Sequence, residues 1–321
     1  MLTVNLGMDW ERTEFILFFV EGFIVVALNI PIIIMILFSK RLSESQELVL
    51  IAGLCSADSV YALGYIAAGI KRTYMYAFGG ADARDSQFDC FFSPHIVIFF
   101  VGYQFTAITT CFLSMDCFAA VFLPTQHCNV TRRSRYAAIA GALIFSISTY
   151  LATYLIFMQR RPETSVSALC FLAESVPIFV FDYLVGLRLI LITVSVAVYI
   201  PIIWRMRNVL KNRSVRQQLI AKNRKFRKLT ITVGIATLLA LVLIVFPDIL
   251  IFFNVAGLTK FHVLFYLIGL NKCLANIFVY TLRQAELRKA FWHYFCKVAH
   301  IKQSNSGWIY NTSVIRTVQI K

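Results

Sequence analysis

The fold is indicated first by residues 15–38, which read FILFFVEGFIVVALNIPIIIMILF and hold one ionisable side chain, Glu21. An α-helix rises about 1.5 Å per residue, so a run of this length can cross the roughly 30 Å hydrocarbon layer of a bilayer. A segment in that layer must satisfy its own backbone hydrogen bonds, which a helix does. We therefore predict that this run is a membrane-spanning helix.

Six further apolar runs, bounded by charged or turn residues, extend this pattern along the chain. They lie at 47–70, 91–122, 136–157, 177–204, 229–253 and 261–282 and are the predicted spans 2 to 7. The composition agrees, because 59% of the 321 residues are hydrophobic and 15% are charged, against about 25% charged in soluble domains. The sequence predicts an all-α membrane protein, a seven-transmembrane helix bundle, with an N-terminal segment at 1–14, a helical domain at 15–295 and a flexible tail at 296–321.

The placement of charge predicts the orientation of this bundle. Segments 39–46, 123–135, 205–228 and 283–321 fall on one side and hold 22 of the 31 Lys and Arg residues, against 7 on the other side. By the positive-inside rule the basic side is cytoplasmic and the N-terminus is extracellular. Three N-x-S/T sequons, at Asn129, Asn212 and Asn311, fall on the predicted inner side and argue against it, with less weight than the charge. A net charge of +15 on so apolar a chain does not indicate a nucleic-acid binder.

The eight cysteines divide according to these predicted compartments. Cys90 and Cys170 fall in or beside the predicted extracellular segments, where an oxidising environment favours a disulfide between them. Cys296 follows an amphipathic stretch that leaves span 7 and is a candidate for lipidation.

Short motifs in five of the spans identify a family. They are Asn29 in span 1, Asp58 in span 2, Met115-Asp116-Cys117-Phe118 in span 3, Phe246-Pro247 in span 6 and Asn276-Ile277-Phe278-Val279-Tyr280 in span 7. In this order the chain resembles the rhodopsin-like G-protein-coupled receptors over nearly its whole length, and the run at 287–291 resembles their short cytoplasmic eighth helix. The chain departs from them at Cys117, Ile277 and Val245, where the family has Arg, Pro and Trp. This degenerate pattern resembles the nematode serpentine chemoreceptors of the sx class.

The resemblance implies a plasma-membrane chemoreceptor that binds a small extracellular molecule and signals through a heterotrimeric G protein. The sensory cilium is one candidate compartment, and an endogenous peptide is the alternative ligand. A seven-helix transporter or channel is a weaker alternative, because no inverted repeat is visible. An enzyme is disfavoured, because the chain has no H-E-x-x-H, G-x-S-x-G or phosphate-binding loop. No cofactor or metal is expected, and the anionic inner leaflet is the expected lipid partner.

The resemblance also places the ligand pocket in the outer half of the bundle, between spans 3, 5, 6 and 7. Phe99 stands where amine receptors carry an Asp, which argues against a monoamine. Arg188 either reaches outward or faces inward to bind an acidic ligand or Asp248. For the aromatic candidates, helix packing or lipid contact is the alternative. The candidate lining residues are His95, Phe99, Tyr103, Gln104, Asp182, Arg188, Asp248, Phe252, His262 and Tyr266.

Ionisable side chains inside the spans should be paired or face water, because charge is unfavourable in hydrocarbon. Lys272 lies four residues before Asn276 and shares its helix face, which in the family looks toward the span 2 Asp and a sodium ion. We expect the Lys272 ammonium to replace that ion and pair with Asp58, with backbone carbonyls or water as the alternative. The predicted switch and structural positions are Asn29, Asp58, Asp116, Pro247, Lys272, Asn276 and Tyr280.

The inner side carries two further expectations. Because Cys117 replaces the Arg that would pair with Asp116, Arg132 and Arg133 are candidate partners for Asp116, although a solvated loop is the alternative. Segment 205–228 has ten basic and no acidic residues, so it either sets topology beside anionic lipid or docks a cytoplasmic partner. The predicted G-protein-facing residues are Arg132, Arg133, Lys222, Arg224, Lys225, Arg227 and Lys228.

Overall fold

A computed structural model describes residues 2–39, 42, 46–80, 82–160, 165–211, 230–253, 262–283, 287, 288 and 291. Within these residues, seven helices are long and apolar enough to cross a membrane. The spans run over Arg12–Phe38, Leu48–Ala77, Pro94–Phe122, Arg132–Gln159, Ile178–Arg205, Thr230–Phe252 and Val263–Leu282 and are numbered 1 to 7 from here on. The prediction of an all-α, multi-pass membrane protein is therefore confirmed.

Most of the helices extend beyond the apolar spans. Their bounds are Leu2–Phe38, Gln46–Ala77, Pro94–Phe122, Arg132–Arg160, Ile178–Lys211 and His262–Arg283. The first helix begins inside the predicted N-terminal segment, which contains no proline to stop it. Span 3 begins at Pro94 instead of residue 91, because proline is favoured in a first turn, where no N–H is needed.

Span 6 has an irregular middle that coincides with its proline. Residues Leu241–Val245 form a π-helical stretch, and Phe246–Phe252 continues as an α-helix. Pro247 has no backbone N–H to donate, and its ring crowds the preceding turn. The wider π-helical turn accommodates this defect and turns the following residue, Asp248, into the bundle, where it is 7% exposed.

The backbones of spans 1, 2 and 3 approach one another closely at glycines, of which Gly69 and Gly102 are examples. A Cβ at Gly69 of span 2 would lie 2.8 Å from the Phe15 carbonyl oxygen of span 1. A Cβ at Gly102 of span 3 would lie 2.8 Å from Tyr61 Cα and 2.9 Å from Tyr61 N of span 2. Small residues commonly permit such contacts between membrane helices. They place the tyrosine-bearing face of span 2 directly against span 3.

A small structured cap closes one end of the bundle. Strand β1 (Arg84–Ser86) pairs antiparallel with strand β2 (Ser165–Ser167), and short helices follow at Gln87–Phe92 and Leu172–Ser175. The predicted disulfide between Cys90 and Cys170 is present and joins the short helix before span 3 to the segment after strand β2. We call the end of the bundle that carries this cap the disulfide end. At the opposite end a short helix, Pro124–Asn129, joins spans 3 and 4, and the predicted eighth helix lies largely outside the described residues.

Candidate functional site

Two ion pairs of the described residues lie near the middle of the bundle, and the first joins spans 2 and 7. Lys272 Nζ donates to Asp58 Oδ1 over 2.9 Å, and Asn276 Nδ2 donates to Asp58 Oδ2 over 2.9 Å. Lys272 and Asn276 are four residues apart, so both side chains leave the same helix face. Each of the three residues is 1% exposed. The expected contact between Lys272 and Asp58 is therefore present.

The second ion pair joins spans 5 and 6. Arg188 donates from Nε to Asp248 Oδ2 over 2.7 Å and from Nη2 to Oδ1 over 2.5 Å, a bidentate geometry suited to a planar guanidinium. Tyr103 of span 3 donates to the same carboxylate over 3.3 Å, and its ring centroid lies 3.5 Å from Arg188 Cζ. Of the two interpretations of Arg188, the inward one holds, with Asp248 as its partner.

A chain of hydroxyl groups connects the second ion pair to span 7. Arg188 Nη1 donates to Tyr61 Oη over 3.4 Å, and the hydroxyls of Tyr61 and Tyr65 lie 3.0 Å apart. Tyr65 donates to the Tyr266 carbonyl over 3.0 Å. Because Tyr65 gives its hydrogen to a carbonyl, Tyr61 must donate to Tyr65. The resulting network joins polar groups of spans 2, 3, 5, 6 and 7.

Two cavities border this network. The first lies toward the disulfide end and is lined by Phe18, Tyr61, Tyr65, Arg72, Phe99, Tyr103, Leu172 and Tyr266. The second lies between the two ion pairs and is lined by Tyr61, Thr106, Ala107, Thr110, Arg188, Ile192, Ile244, Lys272 and Cys273. Tyr61 lines both cavities, so one residue of the network contacts each of them.

The aromatic cavity, as we call the first one, contains some of the predicted ligand residues and not others. Phe99, Tyr103 and Tyr266 line it. His95 is buried against the cap, with its Nε2 3.2 Å from the Cys170 carbonyl oxygen. Gln104 instead faces span 4, where its amide exchanges hydrogen bonds with Thr149.

Two other candidate ligand residues lie away from the aromatic cavity, and a third cannot be placed. Asp182 is exposed near the start of span 5, and Phe252 is 42% exposed near the end of span 6. Both lie on the outer surface because their helices turn those faces away from the bundle axis. The side chain of His262 lies outside the described part of the chain.

Four cavity residues from spans 1 and 2 and one from the cap were not predicted; they are Phe18, Tyr61, Tyr65, Arg72 and Leu172. The sequence does contain one signal for two of them. Tyr61 and Tyr65 are four residues apart and therefore share a face of span 2. Arg72 lies seven residues after Tyr65 on the same face of span 2. Its sequence context, however, does not distinguish it from an ordinary charged residue beside a membrane surface.

The cap covers the aromatic cavity and is held by Arg72. The guanidinium donates from Nε to the Leu169 carbonyl over 3.0 Å and from Nη2 to the Cys170 carbonyl over 3.1 Å. Cys170 has a φ of 48°, which is unusual for a residue with a side chain. The sulfurs of Cys90 and Cys170 also lie near Asp85, but both are joined in the disulfide and leave no thiolate for a metal.

At the opposite end, Asp116 has a different partner from the two that were predicted. Arg135 of span 4, 3% exposed, donates from Nη2 to Asp116 Oδ1 over 3.0 Å. Its Nη2 also lies 2.8 Å from His127 Nε2. Arg132 donates to the Tyr136 hydroxyl over 2.8 Å, and Arg133 is exposed. The prediction of Arg132 or Arg133 as the partner is wrong: Arg135, about one helical turn further along span 4 than Arg132, makes the contact, and Arg133 points to a different face of the helix.

The remaining predictions concern single residues. Asn29 and Tyr280 are buried, and within the described part of the chain the Asn29 amide and the Tyr280 hydroxyl make no hydrogen bond. Several predicted inner residues lie outside the described residues, namely Lys222, Arg224, Lys225, Arg227, Lys228 and Cys296.

Comparison with protein families agrees with the spans and motifs. A family model described as serpentine type 7TM GPCR chemoreceptor Srsx matches residues 23–295. This range begins within span 1 and includes all the later spans, both ion pairs and the disulfide. No curated protein matches the chain. The resemblance to the nematode serpentine chemoreceptors is confirmed, and the family is not one of enzymes. The chain belongs to the Srsx family of serpentine seven-transmembrane G-protein-coupled chemoreceptors.

Proposed function

We propose that this receptor binds a small extracellular ligand in the aromatic cavity and signals through a cytoplasmic heterotrimeric G protein. The proposal rests on one observation. Tyr61, Tyr65 and Tyr103 line the cavity, and the same three hydroxyls connect the spans through Arg188 and Asp248. A ligand that moves any of these rings must change a hydrogen bond between spans. Binding would therefore shift the balance between two arrangements of the bundle.

The proposal includes an orientation, with the disulfide end outside the cell. Two independent observations support this direction. The Cys90–Cys170 disulfide lies at that end, and disulfides persist in oxidising compartments. Most of the basic residues, 22 of 31, lie in the segments of the other end, which the positive-inside rule assigns to the cytoplasm. The ligand would then enter from outside, and the basic end would meet the G protein.

A matched pair of substitutions tests the ligand site. Phe99 lines the cavity and is 8% exposed, whereas Phe112 lies in the same span and is 39% exposed. A second-messenger screen with small volatile and water-soluble compounds first supplies an agonist. Phe99→Leu should then raise the agonist concentration for half-maximal response by roughly tenfold, because shape complementarity is lost in a closely packed cavity. Phe112→Leu should leave that concentration unchanged at equal surface expression.

Two results would contradict the proposal. Equal responses of the two variants would place the ligand elsewhere. An agonist-evoked current in cells that lack the G protein would indicate a channel. Epitope tags at both termini, probed with antibody before and after permeabilisation, test the orientation in the same cells.

A further inference from the structure

Arg72 differs from the other buried cations of the described chain. Arg135, Arg188 and Lys272 each contact a carboxylate. Arg72 is 2% exposed and forms no ion pair with any described residue. It donates to two backbone carbonyls through Nε and Nη2, and its Nη1 has no acceptor among the described residues. The Phe15 and Phe171 ring centroids lie 5.5 and 4.2 Å from its Cζ. A buried guanidinium without a carboxylate in direct contact is unfavourable unless something else supplies the charge.

The aromatic cavity offers this guanidinium a place to meet a ligand. Arg72 lines that cavity with four tyrosines. Three of the tyrosine hydroxyls already donate elsewhere: Tyr61 to Tyr65, Tyr65 to the Tyr266 carbonyl and Tyr103 to Asp248. Arg72 is therefore the cation of the described cavity wall, and its Nη1 can still donate to a ligand. Its formal charge makes the wall positive, because no carboxylate lines the cavity.

The other candidate for an anion site is already occupied. Arg188 binds both oxygens of Asp248 through Nε and Nη2 and donates to Tyr61 through Nη1. An acidic ligand at Arg188 would have to displace a bidentate carboxylate of the same protein. An acidic ligand at Arg72 displaces nothing.

The rest of the cavity wall is apolar. Phe18, Phe99 and Leu172 line it together with the tyrosine rings, and the Tyr65 and Phe99 rings pack edge to face at 4.7 Å. These surfaces suit the hydrocarbon body of a small molecule, and Arg72 is the charged group of the described wall.

We propose that the ligand is a small organic acid whose carboxylate pairs with Arg72 and whose hydrocarbon body packs against Phe18, Phe99 and Leu172. This inference rests on the proposed ligand site and adds the chemical class of its ligand. The carboxylate accepts hydrogen bonds from Nη1 and neutralises the buried guanidinium, as charge-assisted pairs do. A neutral molecule with the same body would leave that charge unpaired.

The test compares acids with their uncharged relatives on the full-length receptor. The probes are straight-chain acids from butanoate to octanoate and benzoate, each beside the primary amide of the same skeleton. Binding to purified receptor is measured as ligand-induced thermal stabilisation, and signalling as second-messenger production in cells. At least one acid should stabilise the wild-type receptor, whereas its amide at the same concentration should not.

Two neighbouring substitutions separate charge recognition from the support of the cap. Arg72→Gln should weaken acid binding on the order of tenfold or more, since it removes one partner of a buried charge pair. Lys71→Gln removes the same charge one residue away. Lys71 donates to Ser93 Oγ over 3.1 Å and is not a wall residue of the aromatic cavity, so this variant should bind the acid like the wild type. Stability without ligand is measured for both variants.

Each outcome is decisive. Equal stabilisation by acid and amide, no stabilisation by any acid, or unchanged acid binding in Arg72→Gln overturns the inference. If Arg72→Gln does not reach the membrane, the comparison of acid with amide on the wild type decides. A receptor that signals only to neutral compounds excludes the acid class but keeps the proposed function. A receptor that binds acids without activating a G protein supports the acid class and contradicts the proposed signalling function.

Discussion

At the scale of single residues, the interior of this receptor is governed by the pairing of charge. Asp58 is joined to Lys272, and Asp248 to Arg188. Such pairs add little net stability over well-packed apolar residues, but the loss of one partner leaves a buried charge. The resemblance implies a mobile cation at Asp58, and in this structure the covalently attached ammonium of Lys272 contacts that carboxylate.

Removal of the Lys272 ammonium should therefore be harmful and partly reversible. Lys272→Ala leaves the Asp58 carboxylate unpaired and should destabilise the receptor by roughly 3–5 kcal/mol. Adding Asp58→Asn removes the uncompensated charge and should restore part of the loss. Thermal unfolding of purified receptor and surface expression measure both effects. Simple additivity of the two losses would contradict the pairing.

A change of salt gives an independent readout of the same pair. Lys272→Ala should gain stability in sodium chloride relative to a bulky organic cation at equal ionic strength, because Asp58 then needs a mobile cation. The wild type should show no such preference.

At the scale of the helices, the position of span 2 decides the site. Its tyrosines reach both cavities because span 3 approaches at Gly102, where only a hydrogen fits against the Tyr61 backbone. The rings of Tyr61 and Phe99 then meet edge to face at 5.9 Å. The π-helical stretch of span 6 has a similar effect, since it turns Asp248 toward Arg188. Local backbone geometry thus sets the distances within the network.

Two glycine substitutions test the close approach of spans 2 and 3. The new methyl group of Gly102→Ala would lie 2.8 Å from Tyr61 Cα, so the helices must move apart. We expect a destabilisation of about 1–3 kcal/mol, typical of overpacking. Gly141→Ala is the control, because a Cβ there meets nothing within 4 Å. The control should be neutral or stabilised by up to about 1 kcal/mol, since alanine favours helix over glycine. Similar unfolding temperatures for the two variants would argue against a tight contact.

At the scale of the whole molecule, the two ends of the bundle have different chemistry. The disulfide end has a compact cap over an aromatic cavity. The other end joins Asp116 to Arg135 and His127 and carries most of the basic charge. A conformational change that starts at the cavity must cross the region between the two ion pairs before it reaches the basic end. This arrangement suits a receptor that transmits a signal in one direction.

The basic end gives the prediction at this scale. Replacement of Lys222, Arg224, Lys225, Arg227 and Lys228 by Gln removes five positive charges from the segment that follows span 5. G-protein activation should fall by roughly tenfold, because electrostatic steering raises association rates by about that much or more. Ligand affinity should stay constant. Terminal epitope tags must report the same orientation as in the wild type, since loss of basic residues can alter topology. Unchanged activation would assign these residues to topology alone.

Much of the architecture follows from the sequence for a simple reason. A bilayer requires long apolar helices, so the length of each apolar run identifies a span whatever its neighbours are. The pair formed by Lys272 and Asp58 was also predictable, because Asp58 stands at a motif position, Lys272 shares a helix face with the motif residue Asn276, and few buried partners can satisfy an ammonium. The cap and the role of Arg72 were not, because loop residues distant in sequence supply the carbonyls that Arg72 binds.

By itself, the sequence determined the seven spans, the family, the disulfide and the presence of charges that need partners. Only the tertiary structure decided which partners they have. Successive side chains on a helix are rotated by about 100°, so the choice between Arg133 and Arg135 for Asp116, and the outward position of Asp182, depend on how each helix is turned. That rotation is set by contacts between helices such as the one at Gly102. The cavity and its unpaired guanidinium exist only once those contacts have formed.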